Sequence, residues 1–103
     1  MKRAKLPPGK QRLLDYLGEP YKIKKIDLED CVYLDLGDYD IEISRGRTLR
    51  SSFDIYCWAK KGGYQIVQRH LSVKNDPAKI KEILDDMRRR YRCDTGFIHK
   101  VVV

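Results

Sequence analysis

The chain has 103 residues, 42% of them hydrophobic and 36% charged, with a formal net charge of +7 and three cysteines. This length and mixture predict a single domain over residues 1–103 and exclude general disorder, while the odd cysteine count without C-x-x-C spacing argues against a disulfide framework or a four-thiolate zinc site. No run reaches the roughly 18 apolar residues of a membrane span, so we expect a cytoplasmic protein that makes no membrane contact.

The N-terminal part combines a basic arm, a short helix and a strand. Residues 1–6 are predicted to form a flexible basic arm. Pro8 can open a helix that covers about Gly9 to Leu17. Its apolar face consists of Leu13, Leu14 and Leu17. A weakly alternating strand is expected from Tyr21 to Leu28.

The clearest pattern is a β-hairpin in which apolar and acidic residues alternate. Gly37-Asp38 suits its two-residue loop, because glycine at the first central position fits a type II′ turn. The resulting register pairs apolar residues on one face: Leu36 with Tyr39, Leu34 with Ile41, and Val32 with Ile43. The other face then carries the pairs Asp35–Asp40 and Tyr33–Glu42. Like charges placed directly opposite each other destabilise a sheet unless another group neutralises them.

The third and fourth strands of the meander follow two turns. A three-residue turn at Arg45-Gly46-Arg47 leads into a strand predicted from about Thr48 to Lys60. This turn sets Arg50 opposite Glu42, so we expect Arg50 to relieve the repulsion in the acidic hairpin. The fourth strand, from Tyr64 to Val73, has apolar residues on both sides, which indicates either burial on both faces or a β-bulge.

The strongest helix pattern runs from Pro77 to Arg92. Proline suits its first position, and apolar residues recur at helical spacing along it. The run from Phe97 to Val103 is typical of a last strand that pairs at a sheet edge. Together these elements predict an α+β fold: an antiparallel β-meander of about five to six strands, one long C-terminal helix packed on one face, and a short N-terminal helix.

Acidic residues are concentrated in the predicted hairpin. Residues 26–44 contain seven acids and no Lys or Arg, whereas residues 1–25 and 45–74 are basic. The candidate protein-interaction residues are Asp35, Asp38, Asp40 and Glu42. Three interpretations stay open: solvated surface charge, a docking patch for a basic protein or a second copy in a homodimer, and a Mg²⁺ site formed by Asp35, Asp40 and Glu42.

Basic residues cluster at the predicted turns and at the end of the main helix. Arginine donates two parallel hydrogen bonds to phosphate oxygens, so repeated arginine clusters favour binding to a nucleic-acid backbone. The candidate set is Arg45, Arg47, Arg50, Lys60, Lys61, Arg88, Arg89, Arg90 and Arg92.

Aromatic residues extend this candidate nucleic-acid site. If the main helix covers the face that bears Phe53, then Tyr33, Tyr56 and Trp58 point to the opposite side of the sheet. Bases of a single strand stack on such rings, which makes Tyr56 and Trp58 binding candidates. The alternative is that the N-terminal helix packs there and buries them.

Catalytic patterns are weak. Neither His70 nor His99 has a Ser or Cys partner at an assignable spacing, and no cofactor motif is present. The sequence therefore predicts a small non-enzymatic nucleic-acid-binding domain without a cofactor. The alternatives are a small regulatory or inhibitory module whose acidic hairpin docks on a basic protein, such as one that processes nucleic acid, and a metal-dependent nuclease.

Overall fold

The computed structural model describes residues 6–91, which form two helices and five strands. In chain order these are α1 (Pro8–Leu17), β1 (Lys22–Ile26), β2 (Glu29–Asp35), β3 (Tyr39–Arg45), β4 (Phe53–Ala59), β5 (Gln65–Val73) and α2 (Pro77–Tyr91). The strands build one antiparallel sheet in the order β1-β2-β3-β4-β5. This architecture confirms the predicted α+β meander with its short N-terminal helix and its C-terminal helix. The predicted last strand, Phe97–Val103, and most of the predicted arm lie outside the described residues.

Both helices pack on the same face of the sheet. Leu13 of α1 belongs to the same buried cluster as Leu84 and Met87 of α2. The strands contribute Val32, Leu34, Ile41, Ile43, Phe53, Ile55 and Cys57 to it. Burying a side chain of this size contributes about 1.5–3 kcal/mol, so the common face holds the fold together. The alternative in which α1 covers the other face is wrong, because Leu13 is fully buried on the α2 side.

The β2–β3 hairpin confirms the predicted register. Its Cα partners are Val32–Ile43, Tyr33–Glu42, Leu34–Ile41 and Asp35–Asp40. Gly37 has a φ of 92°, the positive value that the first central residue of the proposed turn requires. Local turn chemistry and alternation were sufficient here, because a two-residue loop leaves the strands no freedom to slip.

The predicted connection between β3 and β4 is wrong. Residues 46–52 form a loop and β4 begins only at Phe53, so Glu42 pairs with Tyr56 instead of Arg50. For the fourth strand the sequence left open burial on both faces or a bulge, and the β4–β5 pair shows the second alternative, as two register shifts.

Contacts from distant elements explain the longer β3–β4 loop. Gly46 has a φ of 62° and lies so close to the Phe53 ring that a Cβ there would overlap it. The N–H of Gly9 on α1 donates to the Arg47 carbonyl over 3.0 Å, and Asn75 Nδ2 donates to the Thr48 carbonyl over 3.0 Å. The loop therefore docks against the starts of both helices. A rule based on short turns considers only neighbouring residues and cannot predict these long-range contacts.

Within residues 6–91, no helix is both long enough and apolar enough to cross a membrane.

Candidate functional site

The sheet face opposite the helices, called the open face below, carries a groove of about 790 Å³. Because side chains alternate along a strand, the neighbours of the core residues point here. Four aromatic residues line this groove: Tyr33, Tyr56, Trp58 and Tyr64. Four carboxylates also line it: Asp40 and Glu42 on β3, and Asp27 and Glu29 at the β1–β2 turn. Its basic residues lie on the two edge strands, Lys24 and Lys25 on β1 and Arg69 on β5.

The aromatic rings differ in how accessible they are. Tyr33 is buried, and Lys24 Nζ lies 4.5 Å above its ring centroid. The Tyr56 and Trp58 centroids are 6.1 Å apart, and the Trp58 and Tyr64 centroids are 6.5 Å apart. Tyr64 is 61% exposed, while Tyr56 and Trp58 are half-buried. Three rings that are at least partly exposed therefore follow one another along β4 and just before β5, with planes at 36° between Tyr56 and Trp58 and at 75° between Trp58 and Tyr64.

Asp40 is the first carboxylate of the open face, and its charge is compensated within the protein. Its side chain is almost fully buried and accepts a hydrogen bond from Tyr33 Oη at 2.7 Å. Lys60 Nζ lies 3.2 Å from the same Asp40 oxygen and 2.8 Å from Asp35 Oδ1. The hydrogen bond from Lys60 is the main cause of the lowered pKa of Asp35. Lys60, and not the predicted Arg50, thus relieves the repulsion in the acidic hairpin.

Glu42 is the second carboxylate of the open face, and its environment is different. Trp58 donates its indole N–H to Glu42 Oε1 over 3.0 Å, and Cys31 Sγ lies 4.0 Å from Oε2. Among residues 6–91, no Lys, Arg or His forms an ion pair with Glu42.

The pKa of Glu42 reflects this lack of a cation. Burial raises the pKa, the hydrogen bond from Trp58 opposes that rise, and the charges of Asp27, Glu29 and Asp40 add to it. Among residues 6–91, its oxygens accept from the Trp58 indole and the Cys31 thiol, fewer than the roughly four hydrogen bonds that a carboxylate can accept.

The basic margin of the groove consists of residues that the sequence did not indicate as a group. Lys24 and Lys25 come from β1, and Arg69 lies directly opposite Tyr56 on β5. Lys25 also borders a second pocket of about 750 Å³ that includes Arg45 and Arg47. Both of these arginines are exposed, and Arg45 Nε lies 3.7 Å from Asp54. The open face and this basic pocket are therefore adjacent.

The remaining predicted phosphate-binding residues lie elsewhere. Arg88 lies over the Tyr21 ring at 5.8 Å, and Asp86 forms ion pairs with Arg89 at 3.4 Å and Arg90 at 2.9 Å. Arg50 and Lys61 are exposed in two separate turns, and Arg92 lies outside the described residues.

The two groups of arginines lie at opposite ends of the sheet. Tyr91, at the end of α2, packs on Tyr39 with centroids 5.2 Å apart, and Tyr39 stands at the far end of β3 from Arg45. Seven residues of strand separate these ends by about 20 Å. The predicted basic set therefore does not form a single surface.

The acidic hairpin is also divided by the structure. Asp35 and Asp38 are exposed, whereas Asp40 is buried and Glu42 is half-buried. Within residues 6–91, no three His, Cys, Asp or Glu side chains are grouped so that they could hold a metal ion.

Lys24, Lys25, Tyr64 and Arg69 are the site residues that sequence reasoning missed. The alternation of β1 is a signal for Lys24, because the neighbouring Ile23 packs against the core. For Arg69 the bulged register of β5 removes such a signal.

Comparison with known proteins adds no family to this description. No family model, no curated protein and no solved structure matches the chain. The functional interpretation therefore depends on the geometry of the open face.

Proposed function

We propose that the open face binds single-stranded nucleic acid without catalysing a reaction. The observation that carries this proposal is the set of accessible rings of Tyr56, Trp58 and Tyr64, with successive centroids 6.1 and 6.5 Å apart. Each base that stacks on an aromatic side chain contributes about 1–3 kcal/mol, and stacking needs an unpaired base. Trp58, half-buried between Tyr56 and Tyr64, suits the stacking of unpaired bases.

The charges of the groove suit one orientation of a bound nucleic-acid strand. Phosphates would be repelled by Glu42 at the floor and attracted by Lys25 and Arg69 at the margins. Arg45 and Arg47 in the adjoining pocket extend this basic track. In this arrangement the bases enter the groove and the backbone follows its margin, where bidentate arginine contacts to phosphate are available.

Duplex nucleic acid fits this face less well. Its bases are already stacked and paired, so the rings would have no free base surface to cover. Its two phosphate strands would also approach the carboxylates of the groove. We therefore expect single strands to bind more tightly than duplexes of the same length.

Fluorescence of Trp58 offers a direct test, because it is the single tryptophan of the chain. Titration with a short oligothymidylate at low salt should quench it. The affinity should fall as salt rises, with a logarithmic slope of about −0.7 for each neutralised phosphate. A matching duplex should bind more weakly.

A pair of tyrosine variants separates stacking from general charge attraction. Tyr64→Ala removes an exposed ring of the open face and should weaken binding about five- to hundredfold. Tyr16→Ala removes a ring of similar exposure on α1 and should leave the affinity unchanged. The proposal fails if no single-stranded DNA or RNA binds at low salt, or if the two variants behave alike.

The other two predicted functions have less support. A docking role for the acidic hairpin needs exposed negative charge, but Lys60 contacts both Asp35 and Asp40. A metal-dependent nuclease needs Asp35, Asp40 and Glu42 as ligands, and the Lys60 ammonium already contacts one oxygen of Asp35 and one of Asp40. Protein docking and metal-dependent cleavage both stay predictions from the sequence.

A further inference from the structure

We infer that Glu42 makes the open face selective for guanine bases in single-stranded nucleic acid. This inference rests on the proposed function and names the base that the site reads. It starts from a carboxylate that lies beside the central stacking ring and has no ion pair with a basic residue among residues 6–91.

The position of Glu42 follows from its hydrogen bond to Trp58. The indole N–H donates to Oε1 over 3.0 Å, which places the carboxylate at the edge of the ring. Aromatic rings prefer to stack with an offset, and a base offset toward this edge of the indole would bring its own edge toward the carboxylate. Oε1 keeps a second lone pair, and the contact of Oε2 with the Cys31 thiol spans 4.0 Å. Two neighbouring acceptor oxygens are therefore available.

Guanine is the base that matches two neighbouring acceptors. Its Watson–Crick edge presents the N1–H and the N2 amino group side by side, both as donors. Adenine and cytosine instead place a ring-nitrogen acceptor beside their amino group, and that nitrogen would face a negative oxygen. Thymine and uracil offer one N–H between two carbonyls. A bidentate contact of this kind discriminates against a wrong base by about five- to hundredfold.

The other carboxylates that line the groove are not equivalent: Asp27 is exposed in the β1–β2 turn, and Glu29 pairs with Lys10 at 2.8 Å. Asp40 is compensated within the protein as well. Tyr33 donates to its Oδ1 over 2.7 Å and Lys60 contacts the same oxygen, so its charge is already compensated. Lys24 and Arg69 also line the groove, but neither forms an ion pair with Glu42 in the described part of the chain. Glu42 is thus the carboxylate beside Trp58 that has acceptor capacity for a base.

The test compares short oligothymidylates in which one central thymine is replaced by guanine, adenine, cytosine or hypoxanthine. Titration by Trp58 fluorescence should give the tightest binding for guanine. Hypoxanthine keeps the N1–H but lacks the amino group, so it should lose a large part of the guanine advantage. This arm uses the unmodified protein and does not depend on how any variant folds.

Two matched variants then assign the selectivity to one side chain. Glu42→Gln keeps an acceptor for the Trp58 N–H but turns one acceptor into a donor, so the ratio of the guanine affinity to the thymine affinity should fall towards one. Asp38→Asn removes the same charge at the exposed hairpin tip and should keep the preference.

The possible outcomes separate the two proposals. If every oligonucleotide binds equally well, or if Glu42→Gln retains the guanine preference, the selectivity is overturned while single-strand binding stands. If none of them binds to the unmodified protein, the proposed function itself is refuted.

Discussion

Lys10 of α1 and Glu29 of β2 form an ion pair of 2.8 Å, in which the lysine side chain is only 2% exposed. The Lys10 ammonium also donates to the carbonyl of Asp30, and Glu29 accepts a hydrogen bond from the Arg45 N–H at 2.6 Å. The pair therefore links the N-terminal helix to two strands. A lysine enclosed in this way is tolerated because its charge has both a carboxylate and a carbonyl as partners.

Lys10→Met should destabilise the fold by about 2–3 kcal/mol, because Glu29 and the Asp30 carbonyl lose a charged donor. The control is Lys25→Met, since the Lys25–Asp30 pair at 3.3 Å has a lysine that is 64% exposed. That change should cost less than about 1 kcal/mol. Urea unfolding midpoints compare the two, and equal midpoints would contradict the structural role of Lys10.

Lys60→Met should also destabilise the domain, by about 1–3 kcal/mol, because the buried Asp40 would lose its cation next to Asp35. Arg50→Met serves as the control, since Arg50 is exposed in the β3–β4 loop and should have almost no effect. Thermal melts of both variants compare the two losses of stability. A larger loss for Arg50→Met would restore the sequence-based assignment.

Gly46→Ala should be far more damaging than Gly62→Ala. Both glycines have positive φ, 62° and 75°, so alanine is strained by about 1–2 kcal/mol at each. At Gly46 the new methyl group would also overlap the Phe53 ring, whereas at Gly62 no atom of the described residues lies within 4 Å of it. We expect an additional loss of about 1–3 kcal/mol for Gly46→Ala. Similar denaturation midpoints would show that the loop does not press against Phe53.

Glu42→Gln should raise the melting temperature at neutral pH. The pKa of Glu42 in the folded protein is raised above its usual 4.5, first by burial, so the folded state binds this proton more tightly than the unfolded chain does. Ionised Glu42 therefore destabilises the fold increasingly as pH rises from 4.5 through the folded pKa. The advantage of Glu42→Gln should vanish in more acidic solution, where both states hold the proton.

Glu29→Gln provides a control of opposite sign for this pH series. Burial disfavours the charged form of Glu29, but hydrogen bonds from Lys10 and from the Arg45 N–H outweigh it and lower its pKa. Glu29 thus stabilises the fold above its usual pKa, and this contribution is lost as pH falls through the lowered value. Glu29→Gln should melt lower than the unmodified protein at neutral pH, with a difference that shrinks on acidification. Parallel pH profiles for both variants would contradict these assignments.

The elements that could be predicted from sequence are those that depend on neighbouring residues. The stripe that includes Ile80, Leu84 and Met87 marks α2, and these three side chains are fully buried. Alternation around Gly37-Asp38 specifies the β2–β3 register, because the turn and the pleat are both local properties. The same alternation places Tyr56 and Trp58 on the face opposite the core.

The elements that could not be predicted depend on contacts between distant parts of the chain. The β3–β4 loop is longer than a turn because α1 and Asn75 hold it, and Lys60 reaches the acidic pair from the far end of β4. Sequence proximity likewise suggested one basic surface, but Arg45 and Arg90 stand at opposite ends of the sheet.

By itself, the sequence determined the class of fold, the acidic hairpin and the aromatic residues of one sheet face, since each follows from periodicities of two or 3.6 residues. Only the tertiary structure decided that both helices cover the other face, that Lys60 neutralises Asp40 and that Glu42 lies beside Trp58 with no ion-paired cation in the described part of the chain. The physical reason is that periodicity comes from the local backbone, whereas the partner of a charge depends on loop lengths, bulges and helix docking across the whole chain.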